Sequence, residues 1–109
     1  MGITKLEGFD QKVVSMAAAL KAIGHPARLS IMHYLSEKDQ CICGDIVLEL
    51  PLAQPTVSRH LAELKAVGLI KGSISGNNIC YCIDAENWNQ LQEYLGQISG
   101  SLASKNTCC

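Results

Sequence analysis

Six cysteines, Cys41, Cys43, Cys80, Cys82, Cys108 and Cys109, carry most of the chemistry this sequence offers. They fall as two Cys-x-Cys pairs and one vicinal pair, and thiolates in such groupings capture soft ions or cycle between thiol and disulfide. Which of these applies depends on the compartment. Glu7, Asp10 and Lys12 precede any apolar run, so no secretory signal is expected, and the stretch from Val13 to Ile23, broken by Lys21, is far short of the ~20 residues of a membrane span. The expectation is a cytoplasmic chain with no membrane partner, whose thiols are kept reduced and serve metal binding or redox sensing rather than structural disulfides.

Cys41 and Cys43 are the sharpest feature. Thiols at i and i+2 diverge on a regular helix but can converge in irregular backbone at a helix start, where thiol pKa values also fall. Burial as small core residues is the competing reading. Cys80 and Cys82 alternate with Ile79, Tyr81 and Ile83, so they are expected to point away from the core with Cα atoms ~6.6 Å apart, either as a second thiol site or as a pair without a role. Cys108 and Cys109 form a vicinal dithiol, a chelator or an adventitious tail. His33 reads as structural, and Arg28 as a partner in a surface or intersubunit ion pair.

A second group of polar residues could read DNA. Gln54, Thr56, Ser58, Arg59, His60 and Lys65 cluster on a short segment that also carries Val57, Leu61, Leu64 and Val67 at helical spacing. Short donors and an arginine suit a major groove, with Gln54, Thr56 and Ser58 nearer base edges and Arg59, His60 and Lys65 nearer phosphates. A solvated helix face is the alternative. Net charge is −1, which argues against a generic polyanion binder, yet residues 51–83 hold Arg59, Lys65 and Lys71 against Glu63 alone. Local charge is what phosphates feel.

The surrounding pattern supplies the elements that would position these groups. Val13, Met16, Ala17, Leu20 and Ile23 describe a first amphipathic helix, ended by Gly24. Pro26 opens a second, with Leu29, Met32 and Leu35 as its buried stripe and its end near Ser36. A short helix is expected from about Cys43 to Leu50, where Pro51 stops it, and Pro55 opens the next, capped by Gly68. After Gly68 the period changes to two around Gly76-Asn77, which reads as a β-hairpin carrying Lys71 and Asn77, placed to touch a neighbouring groove or simply hydrated. A last helix runs from about Ala85 to Ile98 with Trp88, Leu91, Leu95 and Ile98 on one stripe. The expected architecture is mostly α with a small β-hairpin, a winged helix-turn-helix in one domain spanning 1–98, followed by a flexible cysteine-ending tail, 99–109.

Four segments in this order, Ile23-Gly24-His25-Pro26-Ala27-Arg28-Leu29, Cys41-Ile42-Cys43, Gln54-Pro55-Thr56-Val57-Ser58-Arg59-His60-Leu61 and Val67-Gly68-Leu69-Ile70 with its hairpin, resemble the ArsR/SmtB family of metal-responsive repressors. The resemblance covers roughly residues 12–98. It implies a non-enzymatic homodimer, built mainly from the first and last helices, that binds double-stranded operator DNA. It also implies that Cys41 and Cys43 are ligands, because a Cys-x-Cys pair at this place belongs to the family's arsenic, cadmium and lead sensors. The effector expected is As(III) or Sb(III), with Cd(II), Pb(II) and Cu(I) as alternatives. The chain departs from the arsenic pattern at Ile46, where a third cysteine often stands, and it has no N-terminal cysteine. As(III) prefers three sulfurs, so Cys108 or Cys109 is expected to supply the third, with Cys80 and Cys82 as competing donors. Zinc on the last helix is not expected, as no histidine follows His60. A thiol redox or persulfide-sensing repressor is the nearest alternative. A cysteine-rich metal carrier or thiol oxidoreductase is the alternative of another class, and it leaves the helix-turn-helix unexplained.

Overall fold

Asp10 begins the first helix by accepting the Lys12 N–H on its carboxylate at 3.1 Å, which satisfies one of the four unpaired amides at the helix start. A computed structural model describes residues 8–38, 42–43, 51–75 and 78–103. Within them the order is α1 (Gln11–Ile23), α2 (Pro26–Ser36), β1 (Ile42–Cys43), α3 (Gln54–Ala66), β2 (Ile70–Ser75), β3 (Asn78–Ile83) and α4 (Ala85–Ala103).

The core is assembled from one stripe of each helix. On α3, Val57, Leu61 and Leu64 are buried at spacings of four and three, and on α2 Ile31, Met32 and Leu35 face them. Leu69, Ile70 and Leu91 close the cluster. α1 contributes Met16, Ala19 and Ala22, two of them alanines that let its backbone approach closely, while Val13 and Leu20 are exposed. The expected stripe of α2 also needs correction. Leu29 is 56% exposed and Ile31 is fully buried, because the helix is rotated so that residues 31, 32 and 35 look inward.

Two joints connect these elements. α1 stops at Gly24, whose amide donates to Leu20 and Lys21 carbonyls, and His25 then caps α2 by accepting the Ala27 N–H on Nδ1 at 3.0 Å. At the other joint Gly68 adopts a φ of +80°, a conformation that only glycine reaches without steric cost. Asn87 donates from Nδ2 to the Gly68 carbonyl at 2.9 Å and to Asp84 Oδ2 at 3.2 Å, and Asp84 Oδ1 accepts the Asn87 amide. The end of α3 is thereby pinned to the start of α4.

The hairpin is part of a three-stranded antiparallel sheet ordered β1-β3-β2. β2 pairs with β3 from Ile70↔Ile83 to Ser75↔Asn78, and β1 adds Ile42↔Tyr81 and Cys43↔Cys80. Cys43 therefore stands in a strand rather than opening a helix, and the rest of the helix expected up to Leu50 lies outside the described residues. α4 continues past the expected end at Ile98 to Ala103. Ser99 and Ser101 do not terminate it, since their hydroxyls donate back to the Leu95 and Gln97 carbonyls, and Leu102 extends the apolar stripe. The expected flexible tail thus loses residues 99–103. No helix among the described residues is long and apolar enough to cross a membrane.

Candidate nucleic-acid interface and thiol cluster

Burial of Val57, His60, Leu61 and Leu64 fixes which side of α3 is left to solvent. Thr56, Ser58, Arg59 and Lys65 lie on it, and Lys71 on β2 is exposed as well. Gln54 is the first residue of the helix, and Asn77 lies outside the described residues. Pro55 sits in the first turn, where the missing N–H costs nothing, and Ala53 before it has no side chain with which to cap the helix. An uncapped N-terminus keeps its partial positive charge for an external anion such as a phosphate.

His60 must leave the set of surface donors. It is 7% exposed, on the same face as Val57 and Leu64, and its Nδ1 accepts the Arg28 Nε–H at 3.1 Å. Its ring packs 4.6 Å from that of His25, and Arg28 also donates from Nη1 to the Ala22 carbonyl at 3.2 Å. Arg28 is therefore an internal clasp joining the end of α1 to α3 rather than a surface or intersubunit ion pair. Both imidazoles use Nδ1 as an acceptor, which leaves the ring proton on Nε2. Burial holds the His60 pKa below the usual imidazole value, and the neighbouring His25, Arg28 and Arg59 push it in the same direction against an opposing pull from Glu63. His60 positions the helix, and its spacing of three from Val57 and four from Leu64 was the available signal. His33 is exposed and stands 3.8 Å from Glu37, one turn further on.

The thiols are distributed differently from the expectation. Cys80 is 5% exposed, whereas Ile79 beside it is 49% exposed. β3 is the central strand, so Cys80 is flanked by Cys43 on β1 and Ser73 on β2, and it is buried although it lies on the face expected to point to solvent. Cys82 is half-buried, and both cysteines are disulfide-bonded. Cys41, Cys108 and Cys109 lie outside the described residues. Among the described residues no three His, Cys, Asp or Glu side chains gather around a point that could hold a metal ion.

Residues 25–71 match the family described as bacterial regulatory protein, arsR family. The chain is 29% identical over 86 residues to the arsenical resistance operon repressor of Staphylococcus xylosus, covering 79% of this chain and 82% of that one. Its fold is similar to the homodimeric winged helix-turn-helix DNA-binding domain of a possible ArsR-family regulator from Mycobacterium bovis, with a TM-score of 0.64, 20% identity and coverage of 95% of this chain and 100% of that one. An HTH-type transcriptional regulator of Methanocaldococcus jannaschii is 40% identical over 76 residues, covering 68% of this chain and 84% of the relative. With this fold and relatives matched across most of their length, the chain belongs to the arsR family of bacterial regulatory proteins, which are DNA-binding regulators of transcription and not enzymes.

Proposed function

We propose that this chain is a repressor that holds operator DNA as a homodimer and releases it when cysteine thiolates capture a soft metal or metalloid ion, As(III) or Sb(III) first, with Cd(II), Pb(II) and Cu(I) as alternatives. The observation that carries the DNA half is the division of α3 into a buried stripe and an exposed face bearing Thr56, Ser58, Arg59 and Lys65. Thr56 and Ser58, with Gln54, face base edges, and Arg59 and Lys65 face phosphates, while Lys71 and Asn77 of the wing meet the adjoining backbone.

The dimer is supported by apolar surface that one protomer leaves uncovered. Trp88, Leu95, Ile98 and Leu102 are 36–61% exposed along α4, and they continue the spacing of buried Leu91 in alternating steps of three and four. Val13 and Leu20 extend the same kind of surface on α1. Two α3 helices related by a two-fold axis would match a pseudo-palindromic site.

The effector half rests on Cys41 and Cys43 as ligands, and similarity to the arsenical resistance operon repressor of Staphylococcus xylosus supports an arsenical. The test selects a DNA site from a random-sequence pool, then measures release by arsenite, antimonite, Cd(II), Pb(II), Cu(I) and Zn(II). Release by thiophilic ions and not by Zn(II) is expected; DNA binding indifferent to every ion would refute the effector half. That Cys80 and Cys82 are disulfide-bonded favours a second reading, a repressor released by thiol oxidation or persulfidation. Mass spectrometry of protein released by oxidant without added metal distinguishes the two.

A further inference from the structure

We infer that the clasp formed by His25, Arg28 and His60 is a proton switch on DNA binding: it seats α3 only while both imidazoles are neutral, so acid unseats the helix and weakens its hold on DNA. The inference takes α3 as the recognition helix, as proposed above, and gives it an input that involves no thiol.

Both hydrogen bonds demand neutral rings. A guanidinium has N–H donors and no acceptor, so the 3.1 Å bond from Arg28 Nε requires a lone pair on His60 Nδ1. A backbone amide is likewise only a donor, so the 3.0 Å bond from the Ala27 N–H requires a lone pair on His25 Nδ1. Each ring therefore carries its one proton on Nε2, and a second proton can enter only at Nδ1, where it abolishes the bond.

The two losses act in one direction. Protonated His60 would aim an N–H at Arg28, whose Nη1 also holds the end of α1 through the Ala22 carbonyl at 3.2 Å, so the tie among α1, α2 and α3 opens at its centre. Protonated His25 would uncap α2 and place a positive charge at the helix end whose dipole repels it. With the rings 4.6 Å apart, each charge also opposes the other.

Among the described residues, the charged and titratable groups that act on His60 are Arg28 from α2, His25 from the turn before it, and Arg59 and Glu63 from α3 itself. One carboxylate thus stands against three groups that are cationic or become so. Burial first, then His25, Arg28 and Arg59, hold the His60 pKa below the usual 6.5. The clasped arrangement is therefore fully favoured above about pH 6.5 and loses ground as pH falls toward the lowered value. The clasp lies directly behind the DNA-facing side of α3, since buried His60 follows exposed Ser58 and Arg59. The sign is diagnostic: a histidine that met a phosphate would strengthen binding on protonation, and this one weakens it.

The experiment uses the full chain, reduced and metal-free, with a fluorescent duplex carrying the site selected at pH 7.5, at fixed ionic strength. Affinity should fall at least about tenfold between pH 7.5 and 5, linkage allowing up to about tenfold per pH unit for each proton. His60→Asn, which can accept from Arg28 but cannot titrate, should lose less than about threefold over the same range. His25→Asn, at an exposed position and still able to cap α2, is the second variant and should fall between the two. His33→Gln, at the exposed third histidine, should follow the wild type. Nitrogen NMR of the rings should show His60 as the neutral Nε2–H tautomer at pH 7.5 and gaining its Nδ1 proton as DNA is released, with helical circular dichroism retained. Affinity unchanged or higher at pH 5, or a His60→Asn curve parallel to the wild type's, would overturn the inference and leave the recognition-helix reading intact. Failure to select any site at pH 7.5 would overturn that reading, and the inference with it.

Discussion

Replacing Gly68 by Ala tests the joint that sets α3 and the wing against α4. Gly68 has φ +80°, where an L side chain costs roughly 1–2 kcal/mol. An added Cβ would also lie 2.8 Å from Asn87 Nδ2, too close for the amide to stay, so the 2.9 Å bond from Asn87 to the Gly68 carbonyl must loosen at a cost of about 1 kcal/mol. Against these stands the reduced freedom of the unfolded chain, worth about 0.4–1 kcal/mol in favour of Ala. The net is a destabilisation of about 2 kcal/mol, or on the order of 10 °C in Tm for a domain of this size at fixed protein concentration.

A double-mutant cycle separates the two causes. In an Asn87→Ala background the steric conflict is gone while the backbone cost remains, so Gly68→Ala should cost about 1 kcal/mol less there than in the wild type. Chemical denaturation of all four proteins with a common m-value is the assay. Equal costs in both backgrounds, within about 0.3 kcal/mol, would refute the contact between Gly68 and Asn87. A wild-type-like Gly68→Ala protein would refute the left-handed conformation itself.

Four other outcomes follow from the same geometry. Arg59→Ala should weaken DNA binding and reduce the slope of log affinity against log salt by about 0.9, one phosphate contact; an unchanged slope removes Arg59 from the interface. Because the folded His60 pKa is lowered, the unfolded chain takes up the proton first, so the contribution of His60 to stability is full above about pH 6.5 and declines as pH falls toward the folded value. His60→Asn keeps an acceptor for Arg28 without titrating, and its stability should change less than the wild type's between about pH 7.5 and 5; parallel curves would contradict this. Leu95→Glu, at an exposed position of the α4 stripe, should yield a folded monomer in sedimentation, and a persisting dimer would place the interface elsewhere. Cys41→Ser/Cys43→Ser protein should stay on DNA at arsenite concentrations that release the wild type, and normal release would exclude this pair from sensing.

Where apolar spacing and residue type agreed, the sequence sufficed: Val57, Leu61 and Leu64 are the buried stripe of α3, and the change to period two after Gly68 is the hairpin. His60 was misplaced because its type is polar while its position, three residues from Val57, is interior. Only a partner makes such a burial affordable, and that partner, Arg28, is 32 residues away. Cys80 was misplaced for a different reason. Alternation assigns one solvent face to a two-stranded hairpin, but β3 is the central strand of three, and the two-residue β1 on its other edge leaves no periodicity to read. Ser99 and Gly100 looked like the end of α4, yet serine hydroxyls that bond one turn back let it continue.

The position of β1 also bears on how an occupied site could reach DNA. A thiol site on α3 itself would act on the recognition helix directly, whereas one that includes Cys43, which stands on β1, would act on the sheet. β3 carries β2 through six paired positions, and β2 begins at Ile70, two residues after the glycine at which α3 turns into the strand. A change at β1 would therefore bear first on the angle between the wing and α3, while the Arg28–His60 clasp holds α3 to the first two helices. The wing and the recognition helix must fit DNA at the same time, so a change in their relative pitch weakens binding without unfolding either. A coupling of roughly 1–3 kcal/mol per site suffices for that, well within what a few thiolate bonds formed in only one conformation can supply.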